Sequence, residues 1–439
     1  MTTLLLAVLF LSNFSVLAWC FIKRERIYEY PFFLGGIFAV FVLPQALALA
    51  QNPEPMSTQA VNRIFVVSIL CLLGGFAGYF VYRPKPSTLS RFDSHLHPVR
   101  VFHAGILFLV VGLVSFRLML QSATAGSSSI GNFTGWSTKF HFFSQLVYPA
   151  LAILIFNAIR KKTLGSYILV LAAAAMPLRS AIKWGRREDM ATLALTIGIA
   201  LFFEKGYKVN RAVALGGLLF VAVAIPFTTI YRQYSRDGRY SEMLQYNPVE
   251  IFIEHVNAGE VLELRNAAYY ADTALVTNTI AYGTGYWDTM VFRFVPAQFV
   301  GAEFKNSLRF KIGREIHPDI KYAIHPGTTK TGMGDTFEQL GYFGFVVFLI
   351  IGAIFRFVWS LARERENVAA QVMYVTLVPS AMTSVTHGTM RFFPDFVFLL
   401  VFIGIMVLHA RTRRVIVIPN SRSRQPQVAA MQPRWNTPQ

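Results

Sequence analysis

Apolar stretches long enough to cross a bilayer recur along nearly the whole chain, and this limits the fold more than any other feature. In hydrocarbon every backbone N–H and C=O must find its partner within the protein, so a spanning segment is a helix or part of a closed barrel. A spanning helix needs roughly 20 mostly apolar residues. About eleven stretches approach that length, near 3–22, 31–50, 63–82, 101–121, 140–159, 164–178, 190–204, 211–231, 337–359, 368–386 and 393–410. The sixth and seventh are short, which suits a tilted or partly re-entrant path. The expected fold is an all-α polytopic membrane protein. The first run has no basic leader and no small-residue cleavage site, so it reads as a retained span and not a removed signal peptide.

Composition supports the bilayer as solvent. Hydrophobic residues make up 54% of the 439 and charged residues only 15%. A net charge of +18 could point to nucleic acid, but Lys and Arg accumulate in the cytoplasmic loops of membrane proteins, and no nucleic-acid partner is expected. Cys20 and Cys71 lie inside apolar runs, which suggests neither a disulfide framework nor a zinc site. His95, His97 and His103 lack metal-ligand spacing, so neither metal nor cofactor is expected.

The basic residues orient the spans. With Lys23, Arg24 and Arg26 in the cytoplasm, alternation places Arg83, Lys85, Arg91, Arg100, Arg160, Lys161, Lys162, Lys205, Lys208, Arg211, Arg356, Arg363 and Arg365 on that side too. Arg411, Arg413 and Arg414 follow them, and the links 51–62 and 121–138 carry no Lys or Arg. The expected topology has its N-terminus outside and its C-terminus inside. It divides the chain into membrane helices over 1–231, a large outside loop over 232–336, membrane helices over 337–412 and a disordered cytoplasmic tail over 413–439.

One short outside link breaks this pattern. The stretch 179–189 carries Arg179, Lys183, Arg186 and Arg187 where cations are normally sparse. Either the two flanking spans are misassigned, or the link is an anion site at the outer surface. Arginine suits phosphate because its planar fork donates two parallel hydrogen bonds and stays charged. Arg117 sits near the outer end of the fourth span and can snorkel to the interface.

The loop continues the cationic theme. It opens at Arg232. Its text is amphipathic and helix-like from Pro248 to Tyr270, then a turn leads to the aromatics Tyr282, Tyr286 and Trp287, which suit either a sugar platform or an interfacial belt. Arg293 and Lys305 lie in a stretch, 293–330, with seven Lys or Arg against three acids; a basic loop near anionic headgroups is the bland reading of it. Asp335 suits N-terminal capping of the ninth span. Glu338 lies further in, where an ionised group is expensive, which favours a functional role. The last outside link offers His387 and Arg391. His387 is either a satisfied structural histidine or a candidate base.

Four short elements resemble the Wzy type of bacterial O-antigen or exopolysaccharide repeat-unit polymerase: Trp184-Gly185-Arg186-Arg187, Ile230-Tyr231-Arg232, Arg293-Phe294-Val295-Pro296 with Lys305 after it, and the run from Gly334 to Gly344. The resemblance covers roughly 176–360, and the earlier part matches only as generic spans. It implies a GT-C-like fold in the bacterial inner membrane and glycosyl transfer at the periplasmic face. The donor would be a glycan on undecaprenyl diphosphate and the acceptor the non-reducing sugar of another lipid-linked unit. Arg179, Arg186, Arg187, Arg232, Arg293, Lys305 and Arg391 would hold the diphosphate. Glu338, His387 or Asp335 would take the proton, and Tyr282, Tyr286 and Trp287 would stack on sugar. A chain-length regulator and a flippase are the implied partners. An O-antigen ligase would use the same donor chemistry, and a transporter, flippase or export scaffold is the rival from another class. Ionisable residues at the outer boundary, with few at mid-depth, favour an interfacial enzyme over a translocation path.

Overall fold

The computed structural model describes residues 1–93, 95–122, 136–243, 245–258, 262–310, 316–325 and 328–412. The tail 413–439, expected to be disordered, lies outside these. Apart from an isolated bridge between Leu96 and Arg411, the described residues form helices and connecting turns.

Ten helical segments among the described residues are long and apolar enough to cross a membrane. They are α1 (Thr2–Ile22), α2 (Tyr30–Gln51), α3 (Thr58–Val81), α4 (Pro98–Ser122), α5 (Trp136–Lys161), α6 (Leu164–Trp184), the Arg211–Thr228 part of a longer helix, and the segments Thr331–Glu364, Val368–His387 and Thr389–Ala410. The seventh expected span is also present as a helix, α7 (Arg187–Lys205), but Glu188, Asp189, Glu204 and Lys205 at its ends keep its mean hydropathy lower. The sixth and seventh spans are not the short elements expected: at 21 and 19 residues they form a helical hairpin. The link 179–189 is thus mostly helix, and only Gly185 and Arg186 lie between the two.

The helix after α7, α8 (Arg211–Asp237), runs beyond its apolar part. The amphipathic stretch expected as one helix over 248–270 is instead α9 (Pro248–Ala258) and α10 (Glu263–Val276). α9 packs on α8 and α2, and α10 packs on α2 and α3, so the loop's own helices close over the bundle. Then come α11 (Thr284–Phe294), the short α12 (Ala297–Val300) and α13 (Ala302–Ser307), and α14 (Thr331–Leu340). The Thr331–Glu364 segment is compound: α14, a tight turn at 341–344, then α15 (Phe345–Glu364). α16 (Val368–His387) and α17 (Phe392–Ala410) complete the bundle.

The centre of the bundle is the α3–α15 crossing. A Cβ added to Gly78 would lie 1.9 Å from the Leu349 carbonyl oxygen, so only glycine permits this approach. Close helix contact through small residues is how membrane helices gain packing energy when lipid offers no hydrophobic contrast. Among the described candidate spans α16 is the most enclosed, and its C-terminal end, at His387, lies next to α14 and α17.

Two faces of the bundle differ chemically. On one, the basic links join each other: Lys208 pairs with Glu25 at 2.5 Å, Arg160 with Glu204, Arg211 donates to the Ile22 carbonyl at 2.7 Å, and Arg365 donates to that of Pro86 at 3.4 Å. On the other, the loop is tied to span ends. Asn52 donates to the Asn257 carbonyl at 3.0 Å, Arg265 to that of Asn52 at 2.7 Å, and the Leu264 N–H to Gln45 at 2.9 Å.

Candidate functional site

A cavity of about 730 Å³ opens between α4, α5, α6, α7, α8, α16 and α17 on the loop side of the bundle. Its apolar wall comes from Phe116, Met119, Met176 and Phe398, and its charged wall from the α6–α7 hairpin, Arg232 and Arg391.

The hairpin places the charge. Met176, Arg179 and Lys183 recur at helical spacing, so they share one face of α6. α6 then ends at Gly185, whose φ of +58° is a left-handed conformation that favours glycine. Arg186 occupies the N-cap position of α7, and Glu188 and Asp189 fill its first turn, where helix-terminal N–H groups favour negative charge. α8 locks this corner, because Tyr231 donates its hydroxyl to the Ile182 carbonyl at 2.7 Å.

Each acid in the cavity has a partner. Glu188 pairs with Arg391 at 2.8 Å, and Asp395 pairs with Arg293 at 2.6 Å and accepts from Ser380 at 2.6 Å. Tyr148 donates its phenol to Asp189. Three of the cations behave differently. Among the described residues Arg179, Lys183 and Arg186 form no ion pair, although the charge of Arg186 reaches Glu188 and Asp189; Arg179 lies 6.0 Å from the Phe116 ring and Arg186 5.7 Å from that of Trp184. The cavity therefore presents unmatched positive charge against an apolar wall, an arrangement suited to an anionic headgroup on a hydrocarbon tail.

The residues singled out from the sequence divide. Arg179, Arg186, Arg232 and Arg391 line the cavity, and Arg293 borders it through Asp395 and a bond to Gln145. Arg187 points elsewhere and donates to the Ile225 carbonyl at 3.0 Å. Lys305 lies on α13 and donates to the Phe292 carbonyl at 2.8 Å. His387 is exposed beside the cavity; its Nδ1 is 2.6 Å from the Thr386 hydroxyl, and the charges of Arg391, Arg187 and Arg232 reach it.

Asp335 does not cap the ninth span. It lies inside α14, fully buried, and accepts from the Thr389 hydroxyl and the Met390 N–H, both at 2.9 Å, so it caps the start of the last span from across the bundle. Glu338, a helical turn on, pairs with Lys330, which also sits 3.0 Å from Asp335. One lysine thus holds both acids, away from the cavity lining. The three aromatics do not form a shared platform. Tyr282 is 81% exposed, Trp287 donates to the Leu308 carbonyl at 2.8 Å, and Tyr286 shares a 2.7 Å bond with Thr389. Burial, reinforced by the Asp335 charge, holds the Tyr286 phenol well above the usual tyrosine range.

Lys183, marked in the sequence with the other cations of its link, also lines the cavity, as do Asp189, Asp395, Tyr148 and His141, which were not singled out beforehand. Asp395 carried a usable signal, an acid within an otherwise apolar span. Tyr148 and His141 carried none, because aromatics are ordinary in such helices.

No family model, curated protein or solved structure matches the chain.

Proposed function

We propose that this chain is a glycosyltransferase of the bacterial inner membrane that polymerises oligosaccharide repeat units carried on a polyprenyl diphosphate. The observation that carries the reading is the set of Arg179, Lys183 and Arg186, in no ion pair among the described residues, in a cavity that the apolar Phe116, Met119 and Met176 also line. The loop face is assigned to the periplasm, the N-terminus with it, and the basic face to the cytoplasm.

In the proposed reaction an acceptor hydroxyl oxygen attacks the anomeric carbon of the donor. The bond from that carbon to the diphosphate oxygen breaks, and the diphosphate leaves with the electron pair. Fixed cations stabilise the charge as it develops, which requires no reorganisation during the step. The proton goes to a group lining the cavity, and His141, Asp189 and Asp395 meet that condition. Glu338 and Asp335 lie outside the cavity lining, held by Lys330, and are not assigned this role.

The test uses purified protein, a lipid-diphosphate-linked repeat unit and EDTA, without nucleotide sugars. A ladder of evenly spaced products supports the reading. Transfer only after lipid A-core is added replaces polymerisation with ligation. No transfer under either condition rules out this donor chemistry and moves the weight to transport or scaffolding.

A further inference from the structure

We propose that residues 287–310 form a paddle that lies in the interfacial layer of the membrane and binds anionic lipid headgroups. The inference rests on the arrangement of the spans alone and is independent of glycosyl transfer.

The chain goes out along α11 and returns through α12 and α13. Three bonds close this path: Trp287 to the Leu308 carbonyl, Lys305 to the Phe292 carbonyl, and the Phe310 N–H to Asp288, each at 2.8 Å. The outer surface exposes Phe292 at 56%, Phe299 at 74%, Phe304 at 54% and Phe310 at 63%. Four exposed phenylalanines within so short a stretch mark an interaction surface. Neither α12, with four residues, nor α13, with six, is long enough to cross a bilayer.

Lys139 fixes the depth. Its ammonium lies 3.7 Å from the Trp136 ring centroid and 3.9 Å from that of Phe299. Trp136 and Lys139 begin α5, a membrane span, and Trp136 is 58% exposed. Phe299 therefore sits level with the end of a span, where amphipathic aromatic rings collect. Lys139 has no hydrogen-bond partner among the described residues. Lys305 and Arg309 likewise form no ion pair among them, and burial, followed by the Arg309 charge, draws the Lys305 ammonium below the usual lysine range. Short helices with exposed aromatics and adjacent cations fit an anionic bilayer surface. A soluble partner would have to cover the same phenylalanines beside the end of a span.

The test is made on the full chain in lipid nanodiscs. Cys20 and Cys71 are buried, so Phe304→Cys and Phe299→Cys each supply an accessible thiol for a polarity-sensitive fluorophore. Quenching is compared between nitroxide-labelled lipid and aqueous iodide, in phosphatidylcholine with and without phosphatidylglycerol. The expected result at both positions is a blue-shifted emission quenched at least about twofold more by lipid than by iodide. Phosphatidylglycerol should strengthen the lipid quenching, and adding Lys305→Ala with Arg309→Ala should remove that dependence. Iodide quenching without lipid quenching overturns the proposal and leaves the surface for a soluble partner. Lipid quenching that is indifferent to phosphatidylglycerol overturns the headgroup assignment.

Discussion

Nε of Arg232 donates to the carbonyl oxygen of Gly185 at 3.2 Å, and a Cβ at position 185 would lie 2.8 Å from Arg232 Cγ. The two residues are far apart in sequence, yet each requires the other. The left-handed turn at Gly185 ends α6, and the open space beside it is where the start of the large loop rests. Replacing Gly185 by alanine adds roughly 1–2 kcal/mol of left-handed strain and displaces Arg232. Polymer formation should fall about tenfold, with membrane insertion unchanged. Quantifying ladder intensity against the amount of inserted protein checks this.

The cavity cations should separate from the remaining basic residues of the link. Arg186→Ala and Arg232→Ala should each lower the proposed polymer formation at least about tenfold, because each removes fixed charge from the site proposed for the leaving diphosphate. Arg187→Ala, which loses a bond to the Ile225 carbonyl outside the cavity lining, should stay within about threefold. Equal losses in all three variants would argue against the cavity as the donor site. Initial-rate assays on matched preparations make the comparison.

Asp335 should behave as a structural residue. Its removal leaves Lys330 with Glu338 alone and takes the acceptor from the Met390 N–H and the Thr389 hydroxyl. Asp335→Ala should lose about 1–3 kcal/mol of stability. Asp335→Asn keeps an oxygen for the Met390 N–H and should lose less. Thermal denaturation in detergent ranks the variants, and a full-length Asp335→Ala protein as stable as wild type but inactive would restore a chemical role.

Glu263 gives the protein a pH dependence. Burial raises its carboxyl above the usual range, against the opposing pull of Arg187. The folded state then holds the proton more tightly than the unfolded state. The associated stability is fully present below the ordinary glutamate value, ~4.3, and is lost as pH rises through the raised value. Glu263→Gln should flatten this part of the stability–pH curve. Melting temperatures of both proteins across the acid range test the sign.

The sequence by itself located the long apolar helices, ten of the roughly eleven expected spans qualifying among the described residues, because the bilayer admits only segments that satisfy their own backbone, and a run of apolar residues is a local property. It also marked the cations of 179–187 as out of place, since the charge bias of the links is legible without a structure. It could not say which of them meet. Arg186 and Arg187 are adjacent in the chain but on different sides of the α6–α7 corner, and a helix turning about 100° per residue separates neighbours in this way. Likewise Asp335 resembled a cap for its own helix and is instead a cap for the last span, through Met390. Contacts between residues tens to hundreds of positions apart depend on how helices cross and rotate, and only the packed bundle sets that. The tertiary structure therefore decided that Lys330 holds both Asp335 and Glu338, and that Asp189 and Asp395 line the same cavity as the cations.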